Sequence, residues 1–165
     1  MKKSKGQHFH IRRATEKDIE QIGELWKELM DFHAKRDIYF QRGKEGHVYW
    51  KKRILEAIEK KSTNLVLVAE NSNQIVGYIY AYIAEFLPVF DRMLFGFIVD
   101  ISVTDKCRKS GIGRELVLKT LNWFKQRHIK RIEVVVSVKN EISTKFWRKV
   151  GFNEFKEILF TEIKD

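Results

Sequence analysis

The succession of a strand, a glycine-rich loop, a helix and a second strand limits what this chain can fold into. The apolar run MLFGFIVDISV, from Met93 to Val103, has the composition of a strand buried on both faces. CRKSGIGREL follows at 107–116, apolar residues then recur at helical spacing to about Arg127, and RIEVVVSV has a β-branched composition. Two strands joined through a helix form a crossover unit, so we expect an α/β domain with a mixed sheet.

The first part of the chain predicts a short strand and two helices. FHIRRAT, from Phe9 to Thr15, alternates enough for a strand, and Thr15 with Asp18 three residues later predicts a capping box. The helix that begins there should run to about His33 and bury one apolar stripe, which consists of Ile19, Ile22, Leu25, Trp26, Leu29 and Met30. A loop rich in aromatic residues then leads to a second helix near 47–60.

The remaining segments predict a hairpin, a helix and a final strand. LVLVAE, the turn residues NSNQ and IVGYIYAYIAEF together predict a β-hairpin, which Pro88 ends. Near the C-terminus we expect a helix from about Glu141 to Val150 and a last strand from Phe152.

The overall composition excludes several classes of protein. The chain of 165 residues fits one domain over 1–165, with residues 1–8 expected to be flexible. No apolar run is long enough to cross a bilayer and no signal-type stretch follows the basic start, so we expect a cytoplasmic protein without a membrane partner. The single cysteine, Cys107, allows no internal disulfide. Its thiol, beside Arg108 and Lys109, is either reactive or, as we favour, that of an ordinary loop residue.

The formal net charge of +10 indicates either an acidic partner or a solvated, heat-adapted surface. We favour the surface, because the cations are spread over the predicted helices among many glutamates. Nucleic acid is disfavoured as a partner, since the chain has neither helix-turn-helix spacing nor the aromatic and glycine signature of a single-strand platform. The histidines show no paired ligand spacing on one helix, so we expect no metal site.

The glycine junction itself predicts an anion site. A helix that begins near Gly111 exposes unpaired N–H groups and the positive end of its dipole, where the cations Arg108, Lys109 and Arg114 are unfavourable unless an anion neutralises them. Phosphate is the natural candidate, and glycines let the backbone approach it closely. The alternative is a tight turn with solvated cations. The stretch has neither the lysine and hydroxyl of a P-loop nor the dinucleotide fingerprint.

Two motifs carry a resemblance to a known family. RKSGIG, from Arg108 to Gly113, resembles the R/Q-x-x-G-x-G/A pyrophosphate loop of the GCN5-related N-acetyltransferase (GNAT) family. NEISTKFWRKVGF, from Asn140 to Phe152, is similar to that family's closing helix motif. The resemblance implies a GNAT-like acyl-CoA transferase fold, with a mixed, mostly antiparallel central sheet flanked by helices, and acetyl-CoA as co-substrate.

The resemblance also implies roles for individual residues. Backbone groups of Ile101, Ser102 and Val103 would pair with the pantetheine arm. The pyrophosphate would lie against the loop formed by Arg108, Lys109, Ser110, Gly111, Ile112, Gly113 and Arg114. Asn140 would reach the pantetheine, and Ser143, Phe146 and Trp147 would line the cofactor. Two alternatives stay open, because Asn140 can simply cap its helix and Phe146 can be core. Gly151 is expected to end the helix.

The implied reaction is direct attack of a primary amine on the thioester, and here the chain departs from the family. Trp147 stands where many members have a tyrosine acid, and Val99 stands where many have a glutamate base. Asp100 is the neighbouring carboxylate, but strand alternation predicts that it faces away from Val99. The catalytic candidates are therefore Asp100, Glu85 and Tyr82, with Tyr80 or a water chain as further options. Asp100 is alternatively a structural, hydrogen-bonded carboxylate.

Two questions about function remain open in the sequence. The chain is interpreted as an acetyl-CoA-dependent N-acetyltransferase, and the alternative is a catalytically weak acyl-CoA-binding sensor or interaction module. The aromatic loop at 31–50, with Tyr39 and Phe40, is predicted either to form the acceptor wall or to cover the core. The type of amine acceptor and the oligomeric state, with a homodimer among the options, are undetermined.

Overall fold

A computed structural model describes residues 9–89, 91 and 94–163. Residues 1–8, which are expected to be flexible, lie outside the described residues. The described chain forms two compact units, one that ends at Val135 and one that begins at Val136. The expectation of a single domain stays a prediction.

The first unit contains a five-stranded sheet in the order β1-β2-β3-β4-β5. Its strands are β1 His10–Arg13, β2 Asn64–Asn71, β3 Gln74–Glu85, β4 Leu94–Val103 and β5 Ile132–Val134, and its helices are α1 Ile19–Ala34, α2 Gly46–Glu59 and α3 Ile112–Lys125. Neighbouring strands from β1 to β4 are antiparallel, whereas β5 is parallel to β4. The mixed, mostly antiparallel sheet is thereby confirmed.

The capping box before α1 forms as predicted. The Asp18 carboxylate accepts hydrogen bonds from the Thr15 backbone N–H at 2.8 Å and from the Thr15 hydroxyl at 3.0 Å. Arg12 of β1 donates to both oxygens of the same carboxylate, at 2.7 and 2.8 Å, and this lowers the pKa of Asp18. The first helix is therefore tied to the first strand by a charged hydrogen-bond pair.

The predicted hairpin is also confirmed. Ser72 and Asn73 connect β2 to β3 with φ angles of 49° and 65°, which is the left-handed geometry that a two-residue hairpin turn requires. Asparagine tolerates this conformation better than most residues, so the turn residues match the turn.

The core lies on both faces of the sheet. On one face α1 and α2 pack against β2 and β3, with Ile22, Trp26, Trp50, Ile54, Val68 and Tyr78 among the buried residues. On the other face Phe124 of α3 lies directly over Gly96, where an added Cβ would come within 2.6 Å of the Phe124 ring. Glycine at position 96 therefore lets α3 approach β4 closely.

The prediction that β4 is buried on both faces is wrong. Gly96 and Ile98, on the α3 face, are buried, whereas Phe97 and Val99 on the opposite face are half-buried. The reason is the placement of α1 and α2, whose apolar residues pack chiefly on β2 and β3, with Val99 of β4 at the margin of this cluster.

The second unit contains α4, Glu141–Lys149. Asn140 caps its first turn, and Gly151 ends it with φ 100° in a Schellman arrangement, in which Phe152 N–H donates to the Trp147 carbonyl at 3.0 Å. The predicted last strand from Phe152 is wrong, because residues 152–163 have no regular secondary structure. Its apolar residues Phe155, Ile158, Leu159 and Phe160 do not alternate, so they define no single strand face. The RIEVVVSV strand is likewise shorter than predicted and ends at Val134.

We predict that Gly96→Ala lowers the free energy of unfolding by about 1–3 kcal/mol, because the new methyl group overlaps the Phe124 ring. Chemical denaturation measures this loss. In a Phe124→Leu background the same substitution should cost less, since the overlapping ring is gone. Gly43→Ala is the matched control, because a Cβ at Gly43 meets nothing within 4 Å. Equal costs of Gly96→Ala in the two backgrounds would contradict the close approach.

Candidate active site

The middle of β4 carries one extra residue. Tyr80 of β3 pairs with Asp100, but the next residue, Ala81, pairs with Ile98, so Val99 is a β-bulge. Val99 packs against the core on the α1 and α2 side. Asp100 accepts a hydrogen bond from Trp50 of α2, so it faces the same side. The prediction that Asp100 faces away from Val99 is therefore wrong, because a bulge suspends the strict alternation on which it rested.

The Asp100 carboxylate lies in a largely apolar site beside α2. Trp50 Nε1 donates to Asp100 Oδ2 at 3.1 Å, and the Trp50 ring is stacked on Trp26 with centroids 5.1 Å apart. Burial raises the pKa of Asp100, while the Trp50 hydrogen bond and the positive charge of Arg53 oppose that rise. A carboxyl group with a raised pKa is a better proton acceptor than an exposed one.

Two tyrosines of β3 adjoin this carboxylate. The Tyr78 hydroxyl is fully buried and has no hydrogen-bond partner within the described part of the chain, and burial and the Asp100 charge raise its pKa. The Tyr80 hydroxyl donates to Asn64 Oδ1 at 3.2 Å, and burial raises the pKa of Tyr80. Both phenols therefore stay protonated at neutral pH.

The other catalytic candidates lie further along β3. Tyr82 is half-buried on the same face, with its ring 6.1 Å from Tyr80 and 5.6 Å from Phe97. Glu85 is exposed at the end of the strand, five residues beyond Tyr80 and thus about 17 Å along it. The structure brings Tyr82 close to the Asp100 region and leaves Glu85 apart from it.

Sequence reasoning missed the contribution of α2 to this site. In the sequence Trp50 is one of several aromatic residues near the start of the second helix, and Arg53 is one of many dispersed cations. Neither residue belongs to a local motif, since Trp50 is fifty positions away from Asp100 in the chain. Only the packing of α2 on the sheet brings them together.

The edge of β4 opens where the bulge occurs. Pairing with β5 covers Gly96 to Ile98 and ends there, so the β4 edge from Val99 to Val103 has no strand beside it among the described residues. This open edge includes the backbone of Ile101, Ser102 and Val103, which the resemblance assigns to the pantetheine arm. An unpaired edge can accept an extended chain as an added strand.

The loop after β4 holds Arg108 in a folded-back position. Its guanidinium forms an ion pair with Asp105 at 2.6 Å, and its Nε donates to the Val103 carbonyl at 3.1 Å. It also lies 5.6 Å from the ring centroid of Phe32 on α1. Arg108 therefore braces the loop through its side chain. Cys107 in this loop is buried, which suits the ordinary residue that we favoured over a reactive thiol.

The first turn of α3 is open to solvent. Gly111 precedes the helix with φ 91°, a conformation that side chains disfavour, and no side chain in the described part of the chain caps this turn. Lys109 and Arg114 are exposed, and Arg114 has only a loose ion pair with Glu115 at 3.6 Å. Uncapped N–H groups beside cations are the features on which the predicted anion site rests, and anion binding itself stays a prediction.

In the second unit Asn140 caps its helix, since its Oδ1 accepts from the Ser143 N–H at 3.1 Å. Trp147 is buried, and its ring lies 5.2 Å from that of Phe146 and 5.0 Å from that of Phe152. Their predicted contacts with a cofactor remain predictions.

The aromatic loop between α1 and α2 contains both exposed and packed residues. Tyr39 is 89% exposed, whereas the Phe40 ring lies 5.6 Å from His33 at the end of α1. Trp50 at the end of this stretch belongs to the core. Tyr39 therefore covers no core, which leaves it available to contact an acceptor.

Comparisons with known proteins agree with this geometry. A profile of the acetyltransferase (GNAT) family matches residues 23–152. An uncharacterized N-acetyltransferase of Methanocaldococcus jannaschii is 26% identical over 153 residues, which cover 92% of this chain but only 63% of that protein. The chain thus spans less than two thirds of that relative.

Solved structures share the fold. A tetramutant of a Bacillus halodurans protein has a TM-score of 0.84 at 23% identity, covering 93% of this chain and 99% of that one. A predicted acetyltransferase from Clostridium acetobutylicum, solved with acetyl-CoA, has a TM-score of 0.77 at 20% identity, covering 94% and 96%. Among the described residues, no helix is both long and apolar enough to span a membrane, and no group of side chains is arranged to hold a metal.

We predict that Trp50→Phe raises the pKa of Asp100 further, because the lost hydrogen bond stabilises the charged carboxylate. A carbon-13 NMR titration of the aspartate carboxyls measures the change. Trp26→Phe is the control, since Trp26 stacks on Trp50 without touching the hydrogen bond. An unchanged or lowered pKa in Trp50→Phe would contradict the assignment.

Proposed function

The chain belongs to the GNAT acetyltransferase family, and from this premise we propose that it transfers the acetyl group of acetyl-CoA to a primary amine by direct attack. The proposal rests on two neighbouring features of the chain. The edge of β4 from Val99 to Val103 has no strand beside it among the described residues, and the uncapped first turn of α3 follows it after Gly111. The helix turn suits a pyrophosphate, and the strand edge suits an extended pantetheine arm.

The proposed cofactor contacts in the first unit come mainly from the backbone. The open edge at Ile101, Ser102 and Val103 would hold the pantetheine arm, and the N–H groups from Arg108 to Arg114 would hold the pyrophosphate. Because the Arg108 guanidinium is engaged by Asp105, we assign Arg108 a bracing role and leave the charge at the anion to Lys109 and Arg114. In the second unit the family resemblance supports contacts from Asn140, Ser143, Phe146 and Trp147.

Acetyl-CoA supplies a thioester whose carbonyl carbon accepts the amine nitrogen. An amine with a pKa near 10.4 is almost fully protonated at pH 7, so making it neutral costs about 4.6 kcal/mol. A base is needed, and we assign Asp100 to this role, either by direct contact or through a water. Two observations support this assignment. The bulge turns Asp100 to the same side as Val99, and burial raises the pKa of Asp100.

Two residues beside Asp100 would set the orientation and the ionisation of its carboxylate. The Trp50 hydrogen bond orients the carboxylate, and the Arg53 charge favours its ionised, proton-accepting form. The Tyr82 hydroxyl, half-buried on the same face, is the proposed donor toward the departing thiolate. Trp147 can donate only a hydrogen bond, since an indole N–H does not ionise usefully.

The acceptor side is assigned to the loop that carries Tyr39 and Phe40, because Tyr39 is exposed and not required by the core. The protein would work in the cytoplasm, where its single buried thiol stays reduced.

We predict that acetyl-CoA binds the wild-type protein and that Gly111→Glu weakens binding by about a hundredfold or more, because a carboxylate then opposes the anion. Calorimetry measures the affinity. Gly111→Ala introduces the same backbone strain at φ 91° without charge and should lose less. Gly43→Glu, on an exposed loop, should bind normally. Wild-type affinity in Gly111→Glu would place the site elsewhere.

Release of free CoA over a panel of amines then separates an enzyme from a sensor. Turnover with at least one primary amine is expected. Tight binding of acetyl-CoA that depends on Gly111, with no release for any amine, would support the sensor alternative instead.

We predict that Asp100→Asn lowers kcat/KM by about 10²–10⁴ while acetyl-CoA affinity is kept, because the lost group acts only on the proton. The wild-type rate should rise with pH through the pKa of Asp100, which burial raises above its ordinary value, since the base must be ionised. Asp100→Asn should lack this acidic limb. Glu85→Gln is the control and should keep both rate and profile. A near-normal rate in Asp100→Asn would remove it from catalysis.

A further inference from the structure

A second cluster of positive charge lies far from the glycine junction. A cavity of about 340 Å³ opens there between β1, β2 and the last turns of α3. Alternation along β1 directs Arg12 to the α1 side, where it pairs with Asp18, and directs Arg13 to the α3 side. We name this cavity the Arg13 groove, and its lining includes Arg13, Leu67, Lys119, Trp123, Gln126 and Arg127.

No carboxylate among the described residues compensates the charges that Arg13, Lys119 and Arg127 bring to the groove. Within the described part of the chain none of these three forms an ion pair, and no aspartate or glutamate lines the groove. Burial and the positive charge of Arg127 lower the pKa of Arg13, so the two guanidinium groups repel each other. An anion between them would remove this repulsion.

Arg127 is held in place rather than extended into solvent. Its Nε donates to the Ser62 carbonyl at 3.3 Å, and its Nη1 donates to the Trp123 carbonyl at 3.4 Å. Its Cζ lies 4.4 Å from the ring centroid of Trp123. A guanidinium fixed over an aromatic ring is oriented before any ligand arrives, which lowers the entropy lost on binding.

Trp123, which lines the groove, carries a buried donor that has no partner among the described residues. Trp123 is 6% exposed, and its indole N–H has no hydrogen-bond acceptor within the described part of the chain. An indole N–H can only donate, and because this one is buried, a shift of the groove lining would be needed for an acceptor oxygen of a bound ligand to satisfy it. Burying a donor without an acceptor is unfavourable, and this observation points to a ligand independently of the charges.

We propose that the Arg13 groove binds a small molecule that bears a phosphate group, with Arg13, Lys119, Arg127 and the Trp123 indole as its donors. A phosphate dianion matches the uncompensated cations better than a single carboxylate does, and guanidinium forks fit its oxygens. The cavity has the size of a small-molecule site rather than of a polymer groove.

This site is separate from the proposed acetyl-CoA site. Trp123 lies eleven residues after Ile112, the first residue of α3, which is about 16 Å along the helix axis. The proposal therefore does not rest on the acetyltransferase assignment, and absence of acetyl-CoA binding would leave it standing.

Titration with inorganic phosphate tests the proposal through the indole resonances in proton–nitrogen NMR spectra. Trp123→Phe identifies the Trp123 signal among the four tryptophans. We expect a saturable shift of that signal, with chloride at equal ionic strength producing none. Arg13→Gln and Lys119→Gln should each raise the apparent Kd at least about tenfold. Lys125→Gln, an exposed α3 cation outside the groove, should leave it unchanged.

Thermal unfolding is a second measurement, and it shows whether each variant is folded. Without phosphate, Arg13→Gln should keep or raise Tm, because it removes a repulsive neighbour of Arg127. With phosphate, the wild type should gain stability and Arg13→Gln should gain much less. Glycerol phosphate should match inorganic phosphate if the ligand is a phosphomonoester, and citrate should be weaker. A shift at Trp123 that chloride reproduces, or equal Kd values in wild type and Arg13→Gln, would overturn the proposal.

Discussion

The extra residue at Val99 determines how β4 presents its side chains. A strand that alternated without interruption would place Val99 and Asp100 on opposite faces, and only one of them could meet α2. The bulge turns both toward α2, while Ile98 and Gly96 stay on the α3 face. The pairing of β4 with β5 ends at the same place, so one local irregularity coincides with both the carboxylate and the open edge.

The environment of Asp100 depends on contacts that stabilise the fold as well as the site. Trp50 stacks on Trp26 in the core and also donates to the carboxylate, so the position of the hydrogen bond is set by packing. A carboxylate buried this way costs free energy, and Trp50 and Arg53 offset only part of that cost. The Tyr78 hydroxyl, which has no partner among residues 9–89, 91 and 94–163, adds to the cost, and such a pattern is typical of functional sites.

The two ends of α3 show opposite uses of positive charge. At the first turn the helix dipole and the cations Lys109 and Arg114 have the same sign, so the arrangement is favourable only with an anion present. At the last turns Arg127 donates to the Trp123 carbonyl, which the dipole favours, yet its charge is repelled by Arg13 across the groove. Arg12 differs from these cations, because its guanidinium forms ion pairs with Asp18 and Glu70.

Local signals in the sequence were sufficient for the features that depend on neighbouring residues. The Thr15 and Asp18 capping box, the Ser72 and Asn73 turn and the junction at Gly111 were all predictable, because each requires particular residues at fixed short spacings. The two motifs that suggested the family have the same local character.

Tertiary structure alone decided what depends on pairing between distant segments. No spacing in the sequence marks Val99 as a bulge, since a bulge exists only relative to the partner strand, and its position reversed the predicted direction of Asp100. The Trp50 contact and the early end of the last strand pair at Val134 have the same origin. Strand register and side-chain facing are set by hydrogen bonds between segments far apart in the chain, and a single sequence carries no direct record of them.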